Sequence, residues 1–573
     1  VPTTTKPAPT GSLRAWQRRA LTRYLATRPR DFLAVATPGA GKTTFALRVA
    51  AELLADRTID QVTVVAPTEH LKHQWAESAA RNGIALDSNF SNSTGQTSGD
   101  YHGVCVTYAQ VAAHPTKHRV RTESRRTLVI LDEIHHGGDA KSWGEAIVEA
   151  YGDATRRLAL TGTPFRSDDS AIPFVTYEPD GQGFQRSKAD HTYGYAEALA
   201  DGVVRPVVFL AYSGDARWRD SAGEEHEARL GEPMNQEQIT RAWRTALDPH
   251  GDWMAAVLHA ANLRLTQVRA GGVPDAGGLV IATDQTAARG YADLLEAITG
   301  ERPCVVLSDD PTASSRIAEF SKTTQPWMVA VRMVSEGVDV PRLTVGVYAT
   351  SASTPLFFAQ AIGRYVRSRR PGETASVFLP SVPVLLGLAS ELETARDHVL
   401  GKPHRESDGL DDDLLADANK QKDVNDEPEK SFVSLGADAE LDQVIFDGSS
   451  FGTATFAGSD EEADYLGLPG LLDPDQMRAL LREHQQRQVT RRSAAPAVAT
   501  ADSELAASER VAKAGKLSDL RKELNTLVAL HHQRTGKPHG VIHGALRTQC
   551  GGPPTAIATA EQLEERIATL RKW

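Results

Sequence analysis

Residues 31–44 read DFLAVATPGAGKTT. A run of apolar and β-branched side chains ends in Pro38 and three small residues, and Lys42, Thr43 and Thr44 then open a helical pattern. Small residues let backbone amides approach a polyanion, and a helix N-terminus adds positive potential. Strand, Gly-rich turn and helix in that order are therefore the setting a phosphate-binding loop needs. On this reading Thr37, Gly39, Ala40, Gly41 and Thr44 line the loop, Lys42 reaches the outer phosphates and Thr43 ligates a divalent cation. A plain strand-to-helix turn could carry the same letters, so the segments on either side have to decide.

Outward from this turn, short β-branched runs alternate with helical patterns: QVTVVAPT (61–68), VCVTYAQ (104–110), TLVILDE (127–133) and RRLALTGTP (156–164). Such alternation is the mark of strand–helix–strand units and a parallel sheet. A second series, GLVIAT (278–283), CVVLSDD (304–310), WMVAVRMV (327–334), LTVGVYATSA (343–352) and SVFLP (376–380), follows a leading helical stretch at 241–270. The fold class expected is α/β: two tandem parallel-sheet lobes, an acidic linker and a small, mainly helical C-terminal module. The boundaries read as a disordered tail at 1–12, lobe one at 13–210, lobe two at 211–400, the linker at 401–470 and the module at 471–573. The linker rests on RESDGLDDDLLADANKQKDVNDEPEK (405–430), which has too few large apolar residues to offset the cost of ordering it. In the module, Leu517, Leu520, Leu524, Leu527 and Val528 share a helix face that Gly536 should end. Thr559 with Gln562 reads as a capping box before Leu563, Ile567 and Leu570.

Bulk properties set limits. A chain of 573 residues exceeds one hydrophobic core, giving a prior of roughly three or four domains. No apolar run approaches the ~18 residues a membrane span needs, so no membrane partner is expected and a cytoplasmic location is, nucleoid-associated in a bacterium. Cys105, Cys304 and Cys550 stand far apart with no ligand spacing, which argues against structural zinc and disulfides. With a net charge of −11, a nucleic-acid ligand would have to be met by a local basic track.

TLVILDEIHH (127–136) delivers two carboxylates to a strand end. Asp132 there can hold the hydration shell of a magnesium ion, and Glu133 can orient and deprotonate an attacking water. His135 reads as a polar relay. The loop 39–43, Asp132-Glu133-Ile134-His135 and Thr161-Gly162-Thr163-Pro164 together resemble motifs I, II and III of superfamily-two helicases, most of all the DEAD/DEAH-like group with the restriction-enzyme motor subunits and the XPB-type translocases. Motif II reads DEIH, which departs from the letters that name the subclasses. LRAWQRRAL (13–21) places Gln17 where that group carries an adenine-reading glutamine, and YAEALADGVVRP (195–206) is also similar to the group.

The resemblance implies two RecA-like lobes that hydrolyse ATP with Mg, with His135, Thr161, Gly162 and Thr163 coupling the site to movement. QAIGRYVRSRRPGE (360–373) resembles motif VI, and Gln360, Arg364 and Arg367 fall at its catalytic positions. A helical start to this segment would put Arg364 and Arg367 on one side, as arginine fingers. VRMVSEGVDVPRL (331–343) resembles motif V, with Gly337 and Asp339 toward the nucleotide. Pro67, Thr68 and His70 resemble motif Ia, Thr107 and Tyr108 motif Ib, Thr283 and Asp284 motif IV. These imply backbone contacts to nucleic acid, with Thr350 and Ser351 as further candidates, although Thr and Asp at such positions also read as ordinary helix caps.

The function expected is an ATP-dependent motor on DNA, in repair, recombination or restriction and defence, with RNA as another track. The alternative is an ATP-gated clamp or recruitment factor that separates no strands. The basic, His-rich segments 487–492 and 530–552 suit either a nucleic-acid contact or docking of a partner protein.

Overall fold

The computed structural model describes residues 12–93, 97–134, 141–162, 171–179, 185–219, 225–232, 234–307, 310, 312–331, 340–392, 399–400, 433–452, 454–494, scattered positions of 520–537, 539–552 and 558–573. The chain divides into two compact units: Val1–Val203 with Ala395–Glu406, and Val204–Thr394 with Ser407–Trp573.

In the first unit β1 (Asp31–Ala36), β2 (Gln61–Ala66), β3 (Leu86–Asp87), β4 (Gly103–Thr107), β5 (Thr127–Asp132) and β6 (Arg156–Thr161) alternate with helices α1 (Ala15–Thr27), α2 (Lys42–Ala55), α3 (Glu69–Arg81), α4 (Tyr108–Ala113), α5 (Pro115–Glu123) and α6 (Lys141–Tyr151). After β7 (Thr176–Pro179) and β8 (Gln185–Lys188), β9 (His191–Tyr193) completes the main sheet ahead of α7 (Tyr195–Ala200). The order is β3-β4-β2-β5-β6-β1-β9, parallel throughout. Strands β2, β4 and β5 are buried along their whole length, which is why they read as unbroken apolar runs: helices cover both faces of a parallel sheet. Of the run VCVTYAQ only its first half is strand, since Thr107 caps α4 and Tyr108 already belongs to the helix.

The second unit opens on β10 (Val207–Arg219), β11 (Glu225–Leu230), α8 (Gln236–Ala246) and α9 (Asp252–Ala270). It continues through β12 (Gly277–Ala282), α10 (Gln285–Thr299), β13 (Cys304–Val306), α11 (Ala313–Lys322), β14 (Trp327–Val331), β15 (Leu343–Ala349), α12 (Pro355–Ile362), β16 (Ala375–Pro380) and α13 (Pro383–Ser390). The sheet order is β13-β14-β12-β15-β16-β10, extended by β19 and β20. Two expectations are corrected here. The expected boundary at 210 is too late, because β10 pairs in parallel with β16 from Val207↔Ala375 onward and belongs wholly to the second unit. The leading helix at 241–270 is two helices, broken where Pro249 and Gly251 interrupt the helical pattern.

The linker expected at 401–470 is also corrected in part. β17 (Val399–Leu400) pairs with β8 in the first unit. Residues 401–432 lie outside the described residues. From β18 (Val433–Ala437) the chain is folded: β19 (Glu440–Phe446) pairs antiparallel with β10, β20 (Ser449–Phe451) and β21 (Thr455–Phe456) pair with β19, and α14 (Asp460–Leu466) follows. The turn between β19 and β20 is Asp447-Gly448, both at positive φ (51° and 69°), the geometry that makes Asp-Gly a two-residue hairpin signal. Half-buried Glu440 and Asp442 hid a strand in which Leu441, Val444, Ile445 and Phe446 are buried, the last three on alternating faces.

Arg264 on α9 joins this late segment to the core. It is 1% exposed, donates to Ser376 Oγ at 2.9 Å and Leu466 O at 3.2 Å, and also reaches Leu468 O. Burial pulls its pKa down to about 10, and no carboxylate is among its described partners. Instead it answers carbonyls at the C-terminus of α14, where a helix gathers negative potential. Arg264→Met keeps the stem and removes the donors. We expect a loss of roughly 2–3 kcal/mol, the scale of charged hydrogen bonds, seen as a lower urea midpoint for the second unit, with exposed Arg217→Met as the neutral control. An unchanged midpoint would mean that those carbonyls find water instead.

The C-terminal helices are α15 (Pro474–Ala494), α16 (His539–Cys550) and α17 (Ala560–Leu570). Leu524 and Val528 form one core cluster with Ile542 and Leu546 of α16 and Leu563, Ile567 and Leu570 of α17, with Leu520, Leu527 and Trp573 packed against it. The Thr559/Gln562 capping box is present. Leu517 and Gly536 lie outside the described residues. No helix among the described residues is long and apolar enough to cross a membrane.

Candidate active site

Strands β5, β6 and β1 are neighbours in that order, so their C-terminal ends bring Asp132-Glu133, Thr161-Gly162 and the loop 37–43 to one sheet edge. In an open parallel sheet this edge is where ligands bind. The turn after β1 has Gly39 at φ 79° and Gly41 at φ 92°, conformations open to glycine and costly for other residues. The loop is held from behind by α1. Arg14 Nη1 donates to Gly39 O at 2.9 Å, Trp16 Nε1 to Ala40 O at 3.0 Å and Gln17 Nε2 to Gly41 O at 2.9 Å. Three successive carbonyls are thus turned to α1, the Ala40 N–H donates to Thr37 O at 3.1 Å, and the first-turn amides of α2 lack intrahelical acceptors. Thr37 N–H donates to Tyr193 O at 3.0 Å, and Trp16 stacks on Tyr193 with centroids 5.2 Å apart, so β9 fixes the other side.

Lys42 Nζ lies 2.6 Å from Glu133 Oε1, and Gly162 N–H donates to Glu133 Oε2 at 3.1 Å. Glu133 is held at φ 47°, a left-handed conformation costing a non-glycine residue about 1–2 kcal/mol. Backbone strain of this kind collects at functional positions, and here it accompanies a carboxylate held between the loop lysine and the end of β6. Asp132 is buried, and its Oδ2 accepts from Trp75 Nε1 at 2.7 Å. Burial, then the neighbouring Glu133 charge, raise its pKa above the usual carboxylate range. The Asp132 carboxylate and the Thr43 hydroxyl are hard oxygen donors, and this donor set fits a hard divalent cation. Asp132 and Thr43 are the residues that would hold it.

Other expected residues fall as follows. Thr161 is buried at the end of β6, and Thr44 is exposed on the first turn of α2. Gln17 is buried and used within the protein, since its Oε1 also accepts from Arg14 N–H at 2.8 Å. In this structure Gln17 clamps the loop to α1. Tyr108 is corrected as a nucleic-acid contact: it is 0% exposed, and its hydroxyl donates to Asp132 O at 2.9 Å. Thr68, Thr107 and Asp284 are N-caps, accepting from Leu71, Gln110 and Ala287 amides. Pro67 precedes the first of these caps, and Thr283 Oγ1 is 3.5 Å from Ala349 O. Thr350 and Ser351 are buried, which removes them as surface contacts. His70 sits in α3. His135, Thr163, Pro164, Gly337 and Asp339 lie outside the described residues.

In the second unit Gln360 occupies the last turn of α12, which ends at Ile362 with Gly363 as its cap. Arg364 and Arg367 therefore stand on the turn beyond the helix and not, as expected, on one helix face. The signals missed in the sequence were Arg14 and Trp16, three and one residues before Gln17, and Trp75, whose indole reaches Asp132 from α3. Away from this chemistry the second unit carries a cavity of about 850 Å³ lined by Arg269, Arg289, Arg302 and Arg316. Carboxylates already answer Arg302 and Arg316.

Residues 10–166 match the family described as Type III restriction enzyme, res subunit. An uncharacterized protein of Mycobacterium tuberculosis is 69% identical over 562 residues, 98% of this chain and 92% of that protein. One of Mycobacterium leprae is 67% identical over 562 residues, 98% of this chain and 94% of that protein. Among solved structures, a fragment of a type I restriction enzyme HsdR subunit from Vibrio vulnificus aligns at 15% identity and TM-score 0.44, covering 65% of each chain. The ATP-dependent type ISP restriction-modification enzyme LlaBIII bound to DNA aligns at 14% and 0.44, covering 65% of this chain and 28% of its own. Dbp5 of S. cerevisiae bound to RNA and ADP BeF3 aligns at 13% and 0.42, covering 70% and 93%.

Proposed function

Because the chain belongs to one family with these mycobacterial proteins and is a superfamily-two helicase relative of the type III restriction subunit, we propose that it is a nucleic-acid-stimulated ATPase that moves along DNA. The observation that carries this reading is the convergence at one sheet edge of a glycine-rich loop, the Lys42–Glu133 pair and buried Asp132.

Each residue has a derivable task. The loop amides and Lys42 bind the β- and γ-phosphates of ATP, and Lys42 leaves Glu133 to do so. Glu133, released from its lysine but still fixed by the Gly162 amide, orients the attacking water and accepts its proton. Asp132 and Thr43 would hold a magnesium ion, which would supply neutralisation of phosphate charge. Arg364 and Arg367 are assigned to neutralise charge developing on the transferring phosphoryl group, which makes turnover depend on the second unit presenting them. Pro67–Thr68 and Thr283–Asp284, each at a helix N-terminus, are the proposed phosphate-backbone contacts.

The test is steady-state ATP hydrolysis at one salt concentration with no nucleic acid, single-stranded DNA, duplex DNA and RNA, with Lys42→Ala as the inactive control. Stimulation by DNA above RNA is the expected result. Stimulation by RNA alone would replace the track. Hydrolysis indifferent to all of them, or undiminished in Lys42→Ala, would overturn the reading. Strand displacement, measured on the same substrates, separates a helicase from a translocase. ATP-dependent retention without movement would identify a clamp.

A further inference from the structure

The turn that carries Arg364 and Arg367 is not a regular element: it runs from the end of α12 at Ile362 to the start of β16 at Ala375. What fixes it is the strand by which the chain enters the second unit. Val204 forms an antiparallel bridge with Arg367, and Arg205 N–H donates to Val366 O at 2.8 Å. The Arg205 side chain then passes beneath the turn. Its Nε donates to Tyr365 O at 2.6 Å, Nη1 reaches Glu373 Oε2 at 3.1 Å, and Nη2 donates to Leu343 O at the start of β15. Glu373 closes the turn from its far end, since Oε2 also accepts Arg369 N–H at 2.9 Å. The Arg205 and Glu373 side chains are each 1% exposed.

A buried ion pair is poor evidence of stabilisation in itself, because apolar residues of similar volume commonly serve as well. What distinguishes this one is direction: a planar fork reaches the backbone of the residue between Arg364 and Val366. We propose that Arg205 and Glu373 are positioning residues for Arg367, clamping its turn to the entering strand so that the guanidinium is presented at a fixed place. The proposal rests on the finger role assigned to Arg367 above. Displacing a catalytic group by ~1 Å can cost on the order of a hundredfold in rate, so the clamp has a rate to protect.

The experiment is a mutant cycle on the full-length chain, read by DNA-stimulated kcat, KM for ATP and thermal midpoint. Arg205→Met with Glu373→Leu removes both charges together and avoids stranding one of them. We expect KM for ATP to stay near wild type and kcat to fall roughly tenfold to a hundredfold, with a lowered thermal midpoint as the Tyr365 and Leu343 carbonyls lose their donor. In an Arg367→Ala background the same pair of substitutions should lower kcat no further, since the group they position is gone. Arg205→Lys guards against a folding failure: it keeps the charge facing Glu373, loses the fork, and should show the same split on a smaller scale. Unchanged kcat in a folded variant, or an equal further fall in the Arg367→Ala background, would overturn the proposal. Wild-type turnover in Arg367→Ala alone would overturn the finger reading and the clamp with it.

Discussion

Glu133→Gln is expected to leave nucleotide binding close to wild type while DNA-stimulated turnover falls by roughly 10²–10⁴, the range for loss of a positioned general base. The geometry separates the two quantities. Lys42 meets the glutamate across 2.6 Å, and an amide at the same position removes the negative charge that competes with phosphate for the lysine. Binding should hold or tighten. The Gly162 N–H, 3.1 Å from Oε2, can still donate to an amide oxygen, so the side chain should keep its place and lose only its basicity. Equilibrium titration with a fluorescent nucleotide and single-turnover hydrolysis measure the two separately. Weakened binding together with slowed turnover would show that Glu133 shapes the loop and does not act on water.

How much of this site could be read beforehand depended on whether a residue's role is local. The glycine-rich turn after β1, the carboxylate pair after β5 and the Thr-Gly after β6 are each short segments at the end of a buried strand, and apolar periodicity locates such ends directly. The division at Val203/Val204 was not legible, because VVFLAY after Pro206 fits the last strand of one sheet as well as the first of the next; its pairing with β16, 168 residues downstream (375 − 207), decides. Charge concealed β19 and β20 in the same way: ELDQVIF was read with the acidic segment before it, although the Asp447-Gly448 turn marks a hairpin. Roles that depend on distant partners were least visible. Gln17, marked by resemblance as an adenine reader, also clamps the loop, and Tyr108, expected to contact nucleic acid, is buried with its hydroxyl on Asp132 O. The Arg205–Glu373 pair has no local signature at all.

Arg367→Ala should separate turnover from affinity in the opposite sense from a phosphate-loop substitution: ATP affinity within a few-fold of wild type, and DNA-stimulated turnover lower by about 10³–10⁵, the range for an arginine finger. The residue lies in the second unit, and the loop and carboxylates proposed to hold the nucleotide lie in the first, so on the proposed reading ground-state binding should not need it. Its charge matters when negative charge spreads over the transferring phosphoryl oxygens, and an interaction that strengthens only then lowers kcat and kcat/KM together. Arg367→Lys should recover little, because a lysine supplies charge without the planar fork. Truncation leaves the backbone bridge to Val204 intact, so the turn should hold its path and the loss should belong to the guanidinium. Parallel falls in affinity and turnover would place Arg367 in the binding of ATP itself. Undiminished turnover would move the finger role to Arg364, the other motif arginine on the same turn, and Arg364→Ala in the same assay would then show the larger fall.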